Sequence, residues 1–153
     1  MGTYLDIMPP IIQHLIEQVY EVEALGEGTR SWRYFDQDTA QHLEDVGGEE
    51  RVFEVFMSRD EPVSNPVAWG TTEIDYDVPI NIDIRYHEKD DHTIYALNDF
   101  EKIKRQVMAS DTSGLTGLNF FRFEDFALIG GDNEDDKYRF MRIPIMARVS
   151  VTD

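Results

Sequence analysis

The stretch from Thr72 to Tyr86, TEIDYDVPINIDIRY, limits the fold of this chain more than any other segment. Ile74, Tyr76, Val78, Ile80, Ile82, Ile84 and Tyr86 occupy every even position, while Glu73, Asp75, Asp77, Asn81, Asp83 and Arg85 take the odd ones, with Pro79 the exception. Side chains alternate faces along a strand, so the run predicts a β-strand with one apolar and one acidic face. Fifteen residues at about 3.3 Å each span roughly 50 Å. A compact domain of this size is only roughly 40 Å across. The strand must therefore bend at Pro79, which cannot donate to a ladder, or project at one end as an arm toward a partner subunit.

A chain of 153 residues holds one domain with a real core. It has no cysteine, which removes disulfides, thiolate zinc sites and thiol nucleophiles. No apolar run is long enough to span a bilayer, and MGTYLDIMPP lacks the layout of a signal peptide, so the expected compartment is the cytoplasm or a particle assembled there. A net charge of −17 argues against gripping nucleic acid by its phosphates. It fits a surface that repels nucleic acid, a basic partner, or adaptation to high salt.

Read in order, the chain predicts α+β architecture. A helix over about 9–25 follows from Ile12, Leu15, Ile16, Val19 and Val22, with Pro10 in its opening turn and Gly26 as its stop. Residues 27–50 carry weak signals: SWRYF (Ser31–Phe35) is a short strand or an anchored loop, and Asp38–Val46 a short helix. Arg51–Ser58 is a strand, Arg59–Pro66 a turn, and together with the long strand they make a hairpin over about 51–86. A second helix over about 97–110 is capped by Asn98 or Asp99 and buries Phe100, Ile103, Val107 and Met108. A strand pair over about 118–151 closes the chain, with Pro144 midway along the last strand and a face switch near Phe140–Met141. The expected fold is one domain, a mainly antiparallel sheet with long hairpins and two helices on one face. No internal repeat is evident in the sequence.

Chemistry-bearing residues do not gather. His87, Glu88, Asp90, Asp91 and His92 have metal-ligand chemistry but sit in one connection with no third element, so a solvated turn is the simpler account. Asp132 to Asp136 lacks the glycine and terminal glutamate of a calcium loop. No serine has a nucleophile-elbow context, and Gly130-Gly131 precedes no phosphate-binding helix. Trp32, Tyr34 and Phe35 could stack on bases or wall a ligand pocket, though aromatics pinning a loop are commoner. The sequence thus predicts no catalytic residues, no metal site and no cofactor, and a non-enzyme.

The order of elements resembles a known family. An N-terminal amphipathic helix, a hairpin carrying WGTTEIDYDVPINIDIRY, the helix LNDFEKIKRQVMAS and a closing strand ending RIPIMARVSVTD are similar to the tail-terminator (tail-completion) proteins of long-tailed bacteriophages and related viruses. The resemblance covers most of the chain and rests on element order and strand character. It implies a virion protein of the tail or neck, forming a homohexameric ring. That ring would cap the tail tube, join it to the head connector and let DNA pass without specific binding. On that basis Asp75, Asp77 and Asp83 become candidates for an acidic channel lining. The strand bearing Ile80, Ile82 and Ile84 becomes the candidate subunit contact. Head–tail joining proteins of the same particle, a small ligand-binding domain walled by Trp32, Tyr34 and Phe35, and a metal enzyme built on His87 and His92 are the alternatives.

Overall fold

A computed structural model describes residues 4–23, 32–35, 51–58, 63–66, 73–87, 92–129 and 138–152. Its centre is an antiparallel ribbon of two strands of equal length, β4 (Glu73–His87) and β7 (Tyr138–Thr152). They pair without a break from Glu73 opposite Thr152 to His87 opposite Tyr138. The length read from the sequence is therefore real, but no arm projects. Each long strand accommodates the other, and β4 is hydrogen-bonded within its own protomer along its whole length.

Shorter strands flank the ribbon in pairs. On the outer side of β4 lie β2 (Arg51–Met57), against Ile80 to Arg85, and β3 (Val63–Pro66), against Ile74 to Asp77. On the outer side of β7 lie β5 (Leu118–Phe123), against Ile145 to Val149, and β6 (Ala127–Ile129), against Phe140 to Arg142. A short β1 (Trp32–Tyr34) runs parallel to β2 at the end of the order β1-β2-β4-β7-β5. The segment predicted as turn around Val63 to Pro66 thus contributes a strand. The first strand of the expected C-terminal pair is two, β5 and β6, and the one register shift falls between Leu118 and Phe120. β7 itself has no shift, so Phe140 simply belongs to the face opposite the core.

The two prolines explain the paired flanking strands. The Pro79 carbonyl accepts from the Ser58 N–H at 2.9 Å, and the Pro144 carbonyl accepts from the Glu124 N–H at 3.0 Å. In a strand the N–H and C=O of one residue point to the same side. Each missing proline donor is thus aimed outward, at the seam between two short strands, and leaves the central ladder intact. An approximate two-fold relation about the Ile80–Ile145 pair follows. The unit α1-β2-β3-β4 recurs as α2-β5-β6-β7, although the sequence carries no visible repeat.

Both helices cover the face bearing Val78, Ile80, Ile82, Ile84, Ile143, Ile145 and Ala147. Helix α1 (Tyr4–Glu21) buries Met8, Ile11, Leu15 and Val19, and α2 (His92–Ala109) buries Ala96, Phe100, Ile103 and Val107. Both start earlier than predicted. Pro9 and Pro10 fall inside α1, which its contacts compensate: Met8 is buried and the Tyr4 ring packs 5.1 Å from that of Tyr76. Met108, expected in the core, is exposed. Asp99 caps nothing; it lies within α2, buried, where its carboxylate meets the Arg51 guanidinium at 3.1 Å and accepts the Tyr86 hydroxyl at 2.7 Å. This tertiary partner overrides the preference of aspartate for helix ends. The helices run antiparallel, tied by Gln106 donating to Gln18 and by Lys102 donating to the Glu23 carbonyl, each at 2.9 Å. The predicted helix at Asp38–Val46 lies outside the described residues.

Candidate assembly surface

The face of the sheet opposite the helices carries the acidic residues singled out in the sequence. Strand alternation brings Asp77 opposite Arg148 and Asp83 opposite Arg142. Each arginine donates two hydrogen bonds in the fork geometry: Nε and Nη2 of Arg148 reach Asp77 at 2.7 and 2.9 Å, and those of Arg142 reach Asp83 at 2.8 and 2.9 Å. Asp75 accepts the hydroxyl of Ser150, which in turn accepts from the Asn119 amide at 2.7 Å. The bond from Arg148 holds the Asp77 carboxyl below the usual range, and its Asp partner raises each arginine. A row expected to be acidic is therefore largely neutralised by the neighbouring strand. Part of the signal lay in the sequence, since Arg142 and Arg148 occupy the polar phase of the last strand, but which aspartate each meets follows from the register of β7 on β4.

Aromatic rings extend both pairs. The Arg142 guanidinium lies 5.8 Å from the Phe56 ring centre and that of Arg148 lies 5.4 Å from that of Phe120. Glu54 is the discordant member. It stands opposite Asp83 on the same face, and burial, then repulsion from Asp83, push its carboxyl up, with Arg142 opposing. Between the two modules, over the prolines, a cleft of about 330 Å³ is lined by Asp77, Pro79, Asn81, Arg122, Glu124 and Met146 among others.

The chain's charge excess lies elsewhere. Seventeen of its 31 acidic residues, but four of its 14 lysines and arginines, fall outside the described residues. Sequence patterning located charge on the strand face because alternation is easy to see, whereas most of the excess belongs to the connecting segments.

Ile80, Ile82 and Ile84, the candidate subunit contact, are fully buried beneath the helices. Both edges of β4 are also occupied, by β7 on one side and by β2 and β3 on the other. These side chains cannot meet a partner, so that assignment is corrected: the strand is core. The pocket-wall reading is corrected as well. The Trp32, Tyr34 and Tyr20 rings all meet Phe53 edge-on at 5.2 to 5.9 Å. Trp32 donates to the Val22 carbonyl at 2.7 Å, Tyr34 to the Val55 carbonyl at 3.1 Å, and Phe35 is buried. They pin β1 onto the core.

The side chains of His87 and His92 lie outside the described residues, as do 88–91 and 130–137. Among the described residues no group of three or more His, Asp or Glu is placed to hold a metal. One pair imitates a nucleophile and base: His14 Nε2 lies 2.9 Å from Ser110 Oγ. But Ser110 already donates its proton to the Val107 carbonyl at 2.6 Å, so the imidazole is the donor and the pair is a tie between helices. Burial lowers the His14 pKa, against Glu17 and Asp111.

Accessible apolar side chains lie on the helices, at Leu5, Tyr20, Ile94, Leu97 and Met108, and on the outer side of the C-terminal strands. Phe120, Leu128 and Ile129 are 44%, 41% and 39% exposed, and the three residues of β6 are all open to solvent. Among the described residues no strand covers the outer side of β5 or β6.

Fold and surface together define an α+β protein with one helix-covered sheet face, one charge-paired open face and an apolar strand edge. Compared with known proteins, the chain matches no family model and no curated sequence. No helix among the described residues is long and apolar enough to cross a membrane.

Proposed function

We propose that this protein is a structural component of a viral tail, a tail terminator that assembles as a ring on the end of the tail tube and meets the head connector. The observation that carries the proposal is the element order with its paired 15-residue strands: helix, hairpin, helix, hairpin around one ribbon. The resemblance to that family rests on this order. The open face adds physical support. Arg142 and Arg148 are each held by a carboxylate in two hydrogen bonds, so a passing phosphate cannot take them without stripping an aspartate of its partner. A face whose cations are occupied in this way lets DNA slide past without trapping it. The role assigned to Asp75, Asp77 and Asp83 thus shifts from a repelling row to a set of anchors that occupy the arginines and the Ser150 hydroxyl.

The test is assembly. Mass photometry and light scattering are expected to find a discrete ring, electron microscopy to show an annulus, and purified tail tubes to bind it at one end. A protein that stays monomeric across a wide concentration range and ignores tail tubes sinks the proposal. Binding to a head connector in place of the tube moves the protein to the neck of the same particle.

A further inference from the structure

We propose that two copies of this chain pair through the outer flank of α2, antiparallel about a two-fold axis that sets Glu101 of each copy against Lys104 of the other. The inference is independent of the ring reading, since it needs neither tube nor connector and concerns a surface of the free protein.

The two helices of the fold share their inner flanks and differ on their outer ones. Each buries a valine near its C-terminal end, Val19 in α1 and Val107 in α2. The residue before each valine faces the other helix, and Gln106 donates to Gln18 across that seam at 2.9 Å. The residue after each valine is turned to the opposite flank. In α1 this is Tyr20, whose hydroxyl accepts the Tyr34 N–H of β1 and whose ring meets Phe53 edge-on at 5.3 Å. In α2 it is Met108, which is 57% exposed. Upstream of Met108 the same flank of α2 runs through Lys104, Glu101, Leu97 and Ile94, in alternating steps of three and four residues. All are exposed, Leu97 and Ile94 by 51% and 56%. That spacing draws one straight seam, the pattern by which one helix packs on another. Single exposed apolar side chains are ordinary, whereas three on one seam, with charge at its middle, form a contact strip.

The order of residues along the seam selects a second copy as its partner. Laid antiparallel on itself with Glu101 level with Lys104 of the other copy, the seam brings Leu97 level with Met108 at both ends. Apolar then meets apolar, and unlike charges meet at the centre, where Arg105 stands beside Lys104 on the solvent side of the same glutamate. A parallel pairing would set Glu101 on Glu101 and Lys104 on Lys104. Neither charge is committed within the protomer. The ion pairs among the described residues include neither Glu101 nor Lys104, and the Lys104 ammonium merely rests 5.8 Å from the centre of the Phe100 ring. From Ile94 to Met108 the seam is about 21 Å long at about 1.5 Å per residue. A contact of that length is small, so the pairing should be reversible. Being two-fold, it closes at two copies and leaves the open sheet face free.

Charge exchange tests the contact directly. Sedimentation equilibrium of the free protein is expected to show a reversible pairing step. Glu101→Lys and Lys104→Glu each set like charge on like at the centre of the seam, and each should raise the dissociation constant by about tenfold or more. A mixture of the two variants restores both unlike pairs and should associate as the parent does. Both positions are exposed, so circular dichroism and melting should not change. The cysteine-free chain adds a geometric readout: Leu97→Cys mixed with Met108→Cys should cross-link under mild oxidation, and neither variant should cross-link to itself. Dimers of Leu97→Cys alone would make the pairing parallel and overturn the inference. So would a parent protein that stays monomeric at millimolar concentration, or a dimer indifferent to both charge reversals. If rings form on tail tubes while no such pairing is found, the inference fails and the ring reading stands. If the pairing forms and rings do not, the reverse holds.

Discussion

The N-terminal and C-terminal halves of this molecule build the same unit and finish it differently. Each supplies a helix, two short flanking strands and one long strand with a proline at its middle. The inward positions agree: Val55 on β2 and Phe121 on β5 are both buried, and Ile80 faces Ile145 at the centre. The outward positions differ. Opposite Asp83 stands Glu54, an acid facing an acid, whereas the counterpart opposite Arg148 is Phe120, a ring beneath a guanidinium. β2 is also closed over by β1 and the aromatic cluster on Phe53, while no strand among the described residues covers the outer side of β5 or β6. Duplicated architecture thus fixes the core, and divergence at the rim closes β2 while leaving its counterpart β5 uncovered among the described residues.

Substitutions at matched positions test this. The largest effect is expected at the centre, where Ile80→Asp and Ile145→Asp should each abolish cooperative thermal unfolding, because a charge would be buried without a partner. If one of the pair melted like the parent protein, the equivalence of the halves would fail. Next comes Asp99→Ala. Asp99 ties α2 of the second half to Arg51 of the first, and removing one member of a buried pair costs about 3–5 kcal/mol in denaturant unfolding. A loss of under about 1 kcal/mol would mean that the β4–β7 ladder and apolar packing hold the halves together without help from this ion pair.

The rim should separate the halves. Phe53→Ala, on the sealed side, is expected to cost about 3–5 kcal/mol, and Phe120→Ala, on the open edge, about 1 kcal/mol or less. Equal costs would show that the open edge is covered in solution. The smallest effect belongs to Glu54. Its carboxyl is raised by burial and by Asp83, so the folded state holds the proton more tightly than the unfolded one. Its ionised form therefore weakens the fold above the raised value, and that penalty fades as pH falls through it. Glu54→Gln should accordingly melt slightly higher than the parent at neutral pH and equal to it near about pH 3, where the parent carboxyl is protonated. A variant less stable at neutral pH would reverse the sign and assign Glu54 a favourable partner.

Much of the architecture was legible because it rests on alternation. The long strand from Thr72 to Tyr86 and its C-terminal counterpart announce themselves, and once both are seen, one sheet with helices on a single face is the economical solution. Helix starts were harder. Tyr4 to Met8 lies upstream of two prolines that read as a beginning, and only the packing of Met8 and Tyr4 carries the helix past them. Asp99 misled for a related reason, because its partner Arg51 is distant in sequence. The candidate site was legible by residue and not by role. Asp77 and Asp83 face outward as expected, but their pairing depends on the register of β7, which no local pattern encodes. Likewise the burial of Ile80, Ile82 and Ile84 follows from two helices closing over them.

Pro79 and Pro144 have one consequence beyond geometry. An unbroken flank along either long strand would be a continuous template some 15 residues in length, the kind on which fibrils elongate. With no donor at its midpoint, each long strand forces its flank to end and restart, so the outer strands stay between three and seven residues long. Neither flank is thereby long enough to nucleate growth of that kind.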